Sequence, residues 1–146
     1  MDTSRSLADL SPFMREKAEQ FLPRANAALQ AKNQKLSCRL VQTGRSPKYQ
    51  NELYAQGRTK PGKIVTNAKA GQTPHTVDNP ATPNLDSEAF DIGVFDGNRY
   101  LTGSNVEEVE LYKLLGPIGR QLGLRWGGDF KSLVDLPHYE NPRWKG

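Results

Sequence analysis

In a chain of 146 residues there is one cysteine and there are two histidines. The single thiol, Cys38, excludes an internal disulfide and removes thiolate-rich zinc sites from consideration. Set in Leu36-Ser37-Cys38-Arg39-Leu40-Val41, it fits a small buried strand residue better than a nucleophile. No apolar stretch approaches the ~20 residues of a membrane-spanning helix. The N-terminus, Met1-Asp2-Thr3-Ser4-Arg5, leads into no apolar signal core, so cytoplasmic synthesis followed by assisted export is expected. The formal charge is +4, yet Lys and Arg are scattered and form no stripe of the kind that tracks nucleic acid.

What is present suits a globular protein. With 36% hydrophobic and 25% charged residues the composition is not that of a disordered chain. The length predicts a single domain over 1–146 with one core and no room for a second full module. Both histidines, His75 and His138, lie in segments that also offer carboxylates. A closed structural zinc site normally has four protein ligands, whereas a hydrolytic site uses three and leaves a position for water. Two histidines plus one aspartate fit the second pattern, and the residues alone leave open which aspartate completes it.

Periodicity predicts an α+β domain with a small antiparallel sheet flanked by helices. Ser11 and Pro12 form a cap and first helical residue, followed by Phe13, Met14, Ala18, Phe21 and Leu22 at helical spacing. Pro23 is expected to end or kink that helix, with Ala25, Ala28 and Leu29 continuing the stripe in a second segment, so that 1–34 forms an N-terminal helical part. A strand is predicted over 35–43, then a helix capped by Ser46-Pro47 and stopped at Gly57. The stretch 60–88 is an irregular loop rich in Pro, Gly, Thr, Asn and Asp, and it carries His75. Such a loop in a small domain is more often functional than incidental. Alternation over 89–95 puts Phe90, Ile92 and Val94 on one strand face and Asp91 on the other. A helix follows over about 105–122, with Val106, Val109, Leu111, Tyr112, Leu115 and Ile118 as its apolar set and Pro117 as a bend. One or two short strands are expected around Trp126-Gly127-Gly128.

Several separated motifs then occur in one order. They are Gln42-Thr43-Gly44-Arg45-Ser46, Gln50 to Thr59 (QNELYAQGRT), Val65-Thr66-Asn67-Ala68, Gly71-Gln72-Thr73-Pro74-His75, Ala89-Phe90-Asp91-Ile92, and Trp126-Gly127-Gly128 with Asp135-Leu136-Pro137-His138. Together, over 36–140, they resemble the D-alanyl-D-alanine carboxypeptidase and L-alanyl-D-glutamate endopeptidase family of zinc peptidases. The resemblance implies a hedgehog-like α+β fold, Zn2+ held by His75, Asp91 and His138, Asp135 as catalytic acid/base, and Arg45 as a ligand for the substrate carbonyl or carboxylate. It departs from the family in two ways. Fifteen residues separate His75 from Asp91 where the familiar pattern has six, with Pro80-Ala81-Thr82-Pro83-Asn84 at the centre of the insertion, and Thr73 replaces the usual Ser. Asp78, Asp86 and Glu88 are alternative oxygen donors, but Asp91 alone has the matching strand context, and a looped-out insertion adds little closure entropy.

Around these positions Gln50, Arg58 and Trp126 are candidate substrate-binding residues. Each also has a plainer role: an exposed helix glutamine, a charge at a helix C-terminus, and a core or cleft-wall aromatic. Alternation places Glu140 beside His138, where it can accept a hydrogen bond from a ligand imidazole. The implied function is hydrolysis of peptidoglycan stem peptides, most in keeping with an L-alanyl-D-glutamate endopeptidase of phage or prophage endolysin type. A monomer without a wall-binding domain is then expected, made in the host cytoplasm and acting in the periplasm, with holin-assisted export implied by a phage role. The alternatives are a D-alanyl-D-alanine carboxypeptidase and a non-catalytic zinc-binding module of the same fold.

Overall fold

The computed structural model describes residues 3–70, 72–76 and 86–144. Its helices are α1 (Pro12–Gln30), α2 (Pro47–Ala55) and α3 (Val106–Gln121), and its strands are β1 (Leu36–Gln42), β2 (Ala89–Asp96), β3 (Arg99–Leu101), β4 (Arg125–Trp126) and β5 (His138–Glu140). The strands form one five-stranded sheet in the order β1-β2-β5-β4, with β3 also paired to β2, and each pairing is antiparallel. This is the α+β arrangement that the order of elements predicts. No helix among the described residues is long and apolar enough to cross a membrane.

Each helix starts on a capping side chain, at Ser11 and Ser46 as the sequence predicts and at Asn105 as the structure adds. Ser11, Ser46 and Asn105 accept hydrogen bonds from the backbone N–H of Met14, Tyr49 and Glu108, satisfying donors that the first helical turn cannot. At the other end of α3, Gly123 takes φ +85° while Gly123 N–H and Leu124 N–H donate to the carbonyls of Arg120 and Gly119. That pair is a Schellman closure, and it needs a residue at ease in the left-handed region.

The structure corrects the expectation for Pro23. Helix α1 runs unbroken through it, and α3 runs through Pro117. Both prolines, and the Glu19 and Lys113 residues whose carbonyls they leave without an N–H partner, are on the solvent side. Water can satisfy those carbonyls, while the buried stripe Met14, Ala18, Phe21, Ala25 and Leu29 holds α1 to the sheet as one unit. Val106, counted in the apolar set of α3, is instead 76% exposed.

The two faces of the sheet do different work. Phe90, Ile92, Val94 and Tyr139 point to one face, fully buried, where Phe21 of α1 packs on Phe90 and Tyr139 with ring centroids 5.7 and 4.7 Å apart. Burying side chains of this size is worth about 1.5–3 kcal/mol each. Asn26 ties the same helix to the sheet edge by donating to Cys38 O and accepting from Cys38 N–H. Cys38 itself is buried, and burial pushes its thiol up to about 12, which leaves it no nucleophilic role at neutral pH. Helix α3 closes on β4 and β5 through two glycines: a Cβ on Gly116 would stand 2.6 Å from the Trp126 ring, and one on Gly119 2.5 Å from the Tyr139 ring. Tyr139 is fully buried and has nowhere to retreat. Gly119→Ala is therefore expected to destabilise the fold by about 1–3 kcal/mol through overpacking, seen as a lower Tm. An unchanged Tm would show that the helix can move away.

Candidate active site

The opposite sheet face carries the polar cluster. Asp91 of β2 and His138 of β5 are directly paired across the antiparallel ladder, so their side chains emerge side by side on one face. His75 reaches them from a short 3-10 turn, Pro74–Thr76, in the long loop. That turn is fastened to the chain following β1. Arg45 N–H donates to His75 O at 2.9 Å, and His75 Nδ1 lies 2.9 Å from Thr43 O. Glu88 N–H donates to Pro74 O at 2.9 Å, so the two ends of the insertion are tied together before β2 begins. This is why a longer connection leaves the pairing of His75 with Asp91 intact. Gly71, Asp78 and the Pro80–Asn84 centre of the insertion lie outside the described residues. His75, expected on a polar loop away from any core, is only 2% exposed, because Thr43, Arg45 and His138 enclose it.

Three atoms converge: His75 Nε2 and His138 Nδ1 are 3.3 Å apart, and Asp91 Oδ1 is 3.3 Å from the first and 3.1 Å from the second. A carbonyl only accepts, so Thr43 O fixes the His75 proton on Nδ1 and leaves Nε2 a bare lone pair. Glu140 Oε1, 2.7 Å from His138 Nε2, does the same for His138 and turns its Nδ1 lone pair inward. When both imidazoles are neutral, as a bound cation requires, three acceptors face one another with no donor hydrogen among them. Donors around a tetrahedral dication with bonds of about 2.0–2.1 Å stand about 3.3 Å apart, which is the spacing here. Nitrogen and carboxylate oxygen also suit a first-row dication. Among the described residues this trio is the one His/Cys/Asp/Glu group so arranged, and Glu88 instead accepts from Asn141 Nδ2.

The electrostatics of the protein alone follow from the same contacts. Burial disfavours ionised Asp91, but the charge on His75 and hydrogen bonds from both histidines outweigh it and hold the carboxyl well below the usual range. Burial likewise disfavours charged His138, yet hydrogen bonds to Asp91 and Glu140 push it up to about 10. A bound cation therefore has to displace a proton here. Glu140→Ala, which removes the acceptor at His138 Nε2, is expected to weaken metal affinity about 10–100-fold in competition with a chelating dye, and Glu140→Gln, which keeps an acceptor oxygen, less so. Equal affinity in all three proteins would refute the orienting role.

The two histidines of the cluster line a cleft of ≈ 610 Å³. Asp135, also on its wall, is half exposed, with Oδ2 3.9 Å from His138 Nδ1. Burial, and next the negative charge of Asp91, raise its pKa, partly offset by the histidines and Arg45. The Trp-Gly-Gly motif sets its position. Asp135 N–H donates to Gly127 O at 3.0 Å, a Cβ on Gly127 would collide with Asp135 O, and one on Gly128 with the Trp126 ring. Arg45 enters from the opposite end of the cluster, Nη2 4.0 Å from Asp91 Oδ2 and Nη1 donating to Gln50 Oε1 at 2.9 Å, while its buried Nε has no partner among the described residues. Gln50, in place of the exposed helix position considered above, is fully buried and also donates to Ala68 O at 2.7 Å. It locks Arg45 to the cleft wall.

Two candidates lie elsewhere. Arg58 caps α2 by donating to Tyr54 O at 2.7 Å and braces the wall from outside through Thr66 O and Asn67 Oδ1. It does not line the cleft. Trp126 is 6% exposed, donates to Leu136 O and packs on Gly116, so it belongs to the core. The cleft is instead walled by residues that periodicity did not single out, among them Thr66, Phe130, Leu133, Val134 and Trp144. Two of these have a usable sequence signal: Thr66, in the Val65-Thr66-Asn67-Ala68 motif, and Trp144, an aromatic just beyond the last strand.

Known proteins are similar to this chain. A family profile described as D-alanyl-D-alanine carboxypeptidase matches residues 87–141, a span that includes Asp91, Asp135 and His138. The peptidoglycan L-alanyl-D-glutamate endopeptidase CwlK of Bacillus subtilis (strain 168) is 35% identical over 137 residues, covering 91% of this chain and 74% of that protein. The L-Ala D-Glu endopeptidase ChiX of Serratia marcescens aligns over 95% of this chain and 87% of its own at 18% identity with a TM-score of 0.48, a likeness too slight to carry an argument. Aligned with the Bacillus protein along nearly its whole length, and matching the family profile over the strands that hold two of the three converging donors, the chain belongs to the D-alanyl-D-alanine carboxypeptidase and L-alanyl-D-glutamate endopeptidase family of peptidases.

Proposed function

We propose that the protein is a zinc-dependent endopeptidase that cuts the L-alanyl-D-glutamate bond of peptidoglycan stem peptides, in the role of a phage or prophage endolysin. The observation that carries the reading is the convergence of His75 Nε2, His138 Nδ1 and Asp91 Oδ1 within 3.3 Å beside a cleft that also presents Asp135 and Arg45. These three residues would hold the zinc, which when bound supplies a Lewis acid for the scissile carbonyl and lowers the pKa of water to about 7. Asp135 takes a proton from the attacking water and returns it to the leaving amine. Its raised pKa suits a group that must do both near neutrality. Arg45, fixed by Gln50 and with Nε unpaired, donates to the substrate carbonyl or carboxylate oxygen and offsets charge that grows during attack. A non-catalytic zinc module has no use for a carboxylate placed as Asp135 is.

An endopeptidase needs room on both sides of the bond it cuts. Val134 and Asp135 border a second cavity of ≈ 330 Å³ besides the main cleft, which favours a peptide continuing past the acid/base. The carboxypeptidase reading is favoured by one feature: Arg45 is the one Arg or Lys side chain lining the cleft among the described residues, a natural partner for a terminal carboxylate. The endolysin role rests on the Gln56-Gly57-Arg58-Thr59 and Trp126-Gly127-Gly128 motifs, and implies delivery to the periplasm by a holin. Mass spectrometry of muropeptides treated with the zinc-loaded protein tests the reading. Fragments beginning with D-glutamate, lost with chelator and restored by zinc, are expected, whereas free D-alanine alone would mean a carboxypeptidase.

A further inference from the structure

We propose that Leu133, together with Val134 and with Val65 from a separate segment of the wall, forms an apolar subsite that grips an aliphatic part of the substrate peptide beside Asp135. The inference rests on the peptidase reading above and adds to it the residues that contact substrate without doing chemistry. Leu133, Val134 and Val65 are 55%, 59% and 51% exposed, although the other large apolar residues mostly fill the core, and all three line the cleft. Exposed apolar groups gathered at a cleft mark something to be covered.

The backbone gives an independent reason. Leu133 has φ +51°, a left-handed conformation in which glycine or asparagine is comfortable and leucine is strained. A solvent-facing leucine there is disfavoured both by its conformation and by its exposure, a combination expected where function holds the side chain in place. The surrounding loop is also closed tightly: Phe130 N–H and Asp135 N–H both donate to Gly127 O, at 3.2 and 3.0 Å. The tip that carries Leu133 and Val134 is thus set at a defined distance from Asp135. The rest of the wall, with Arg45, Thr66, Asn67 and Gln72, offers hydrogen bonds to amides and carboxylates. Methyl and methylene groups of the stem peptide next to the scissile bond are what the apolar tip can recognise.

Leu133→Gly and Leu133→Asn relieve the backbone strain while removing the apolar contact, and Leu133→Met keeps the contact. With a purified stem peptide and the zinc-loaded proteins, the first two are expected to raise KM about tenfold with kcat within about twofold, an unchanged or higher Tm and full metal content. Leu133→Met should restore KM, and Val134→Ser should raise it without touching the strained position. Wild-type KM in the glycine, asparagine and serine variants, or a loss confined to kcat, would overturn the subsite while leaving the peptidase reading standing. A wild-type protein that hydrolyses no stem peptide would overturn that reading first, and the subsite with it.

Discussion

Asp91→Ala is expected to lower stem-peptide hydrolysis on the order of 10³-fold or more and to leave the purified protein without stoichiometric metal. The aspartate supplies the one negative charge among the three converging atoms, and its loss leaves two imidazoles beside the Arg45 guanidinium. Two nitrogen donors facing a positive charge make a poor seat for a dication. About 4 kcal/mol of transition-state stabilisation corresponds to that rate loss. Elemental analysis and peptide hydrolysis measured on the same sample decide the matter. A variant that keeps both its metal and its rate would show that Asp91 is merely a partner for the histidines.

Asp135→Asn separates chemistry from metal binding. The amide fills the same space, cannot take up a proton from water, and lies outside the three donors, so metal content and Tm should match wild type while kcat falls about 10²–10⁴-fold. The pH profile adds a second check. Asp135 must be ionised to act as a base, and burial and the nearby charge of Asp91 raise its pKa. Wild-type kcat should therefore fall as the pH drops and Asp135 takes up a proton, and the residual activity of the variant should lack that limb. Full kcat, or loss of the metal, would remove Asp135 from the acid/base role.

The helices were legible because their determinants are local. Ser11, Ser46 and Asn105 cap the helices whose first turns they precede, and the apolar spacing of Met14, Ala18, Phe21, Ala25 and Leu29 defines a buried stripe that can be counted along the chain. The effect of proline is not legible for the complementary reason. Whether Pro23 breaks a helix depends on what surrounds the carbonyl it leaves unbonded, and the exposure of Glu19 is a property of the packed molecule. Arg58 and Trp126 show the same limit at the site. Their types suit substrate binding, but the direction in which each side chain leaves its element is decided by Tyr54, Asn67 and Gly116.

Which donors exist follows from residue types and periods alone: two imidazoles, a strand aspartate on the face away from Phe90 and Ile92, and an Asp135-x-x-His138 pair. Tertiary structure alone decided that they meet. Antiparallel pairing of β2 with β5 sets Asp91 against His138, Thr43 and Glu140 turn the imidazole lone pairs inward, and the tie between Pro74 and Glu88 makes the length of the insertion irrelevant. Residue types and their periods are written along the chain, whereas the convergence of lone pairs depends on hydrogen bonds between segments dozens of residues apart, which form only as the sheet assembles.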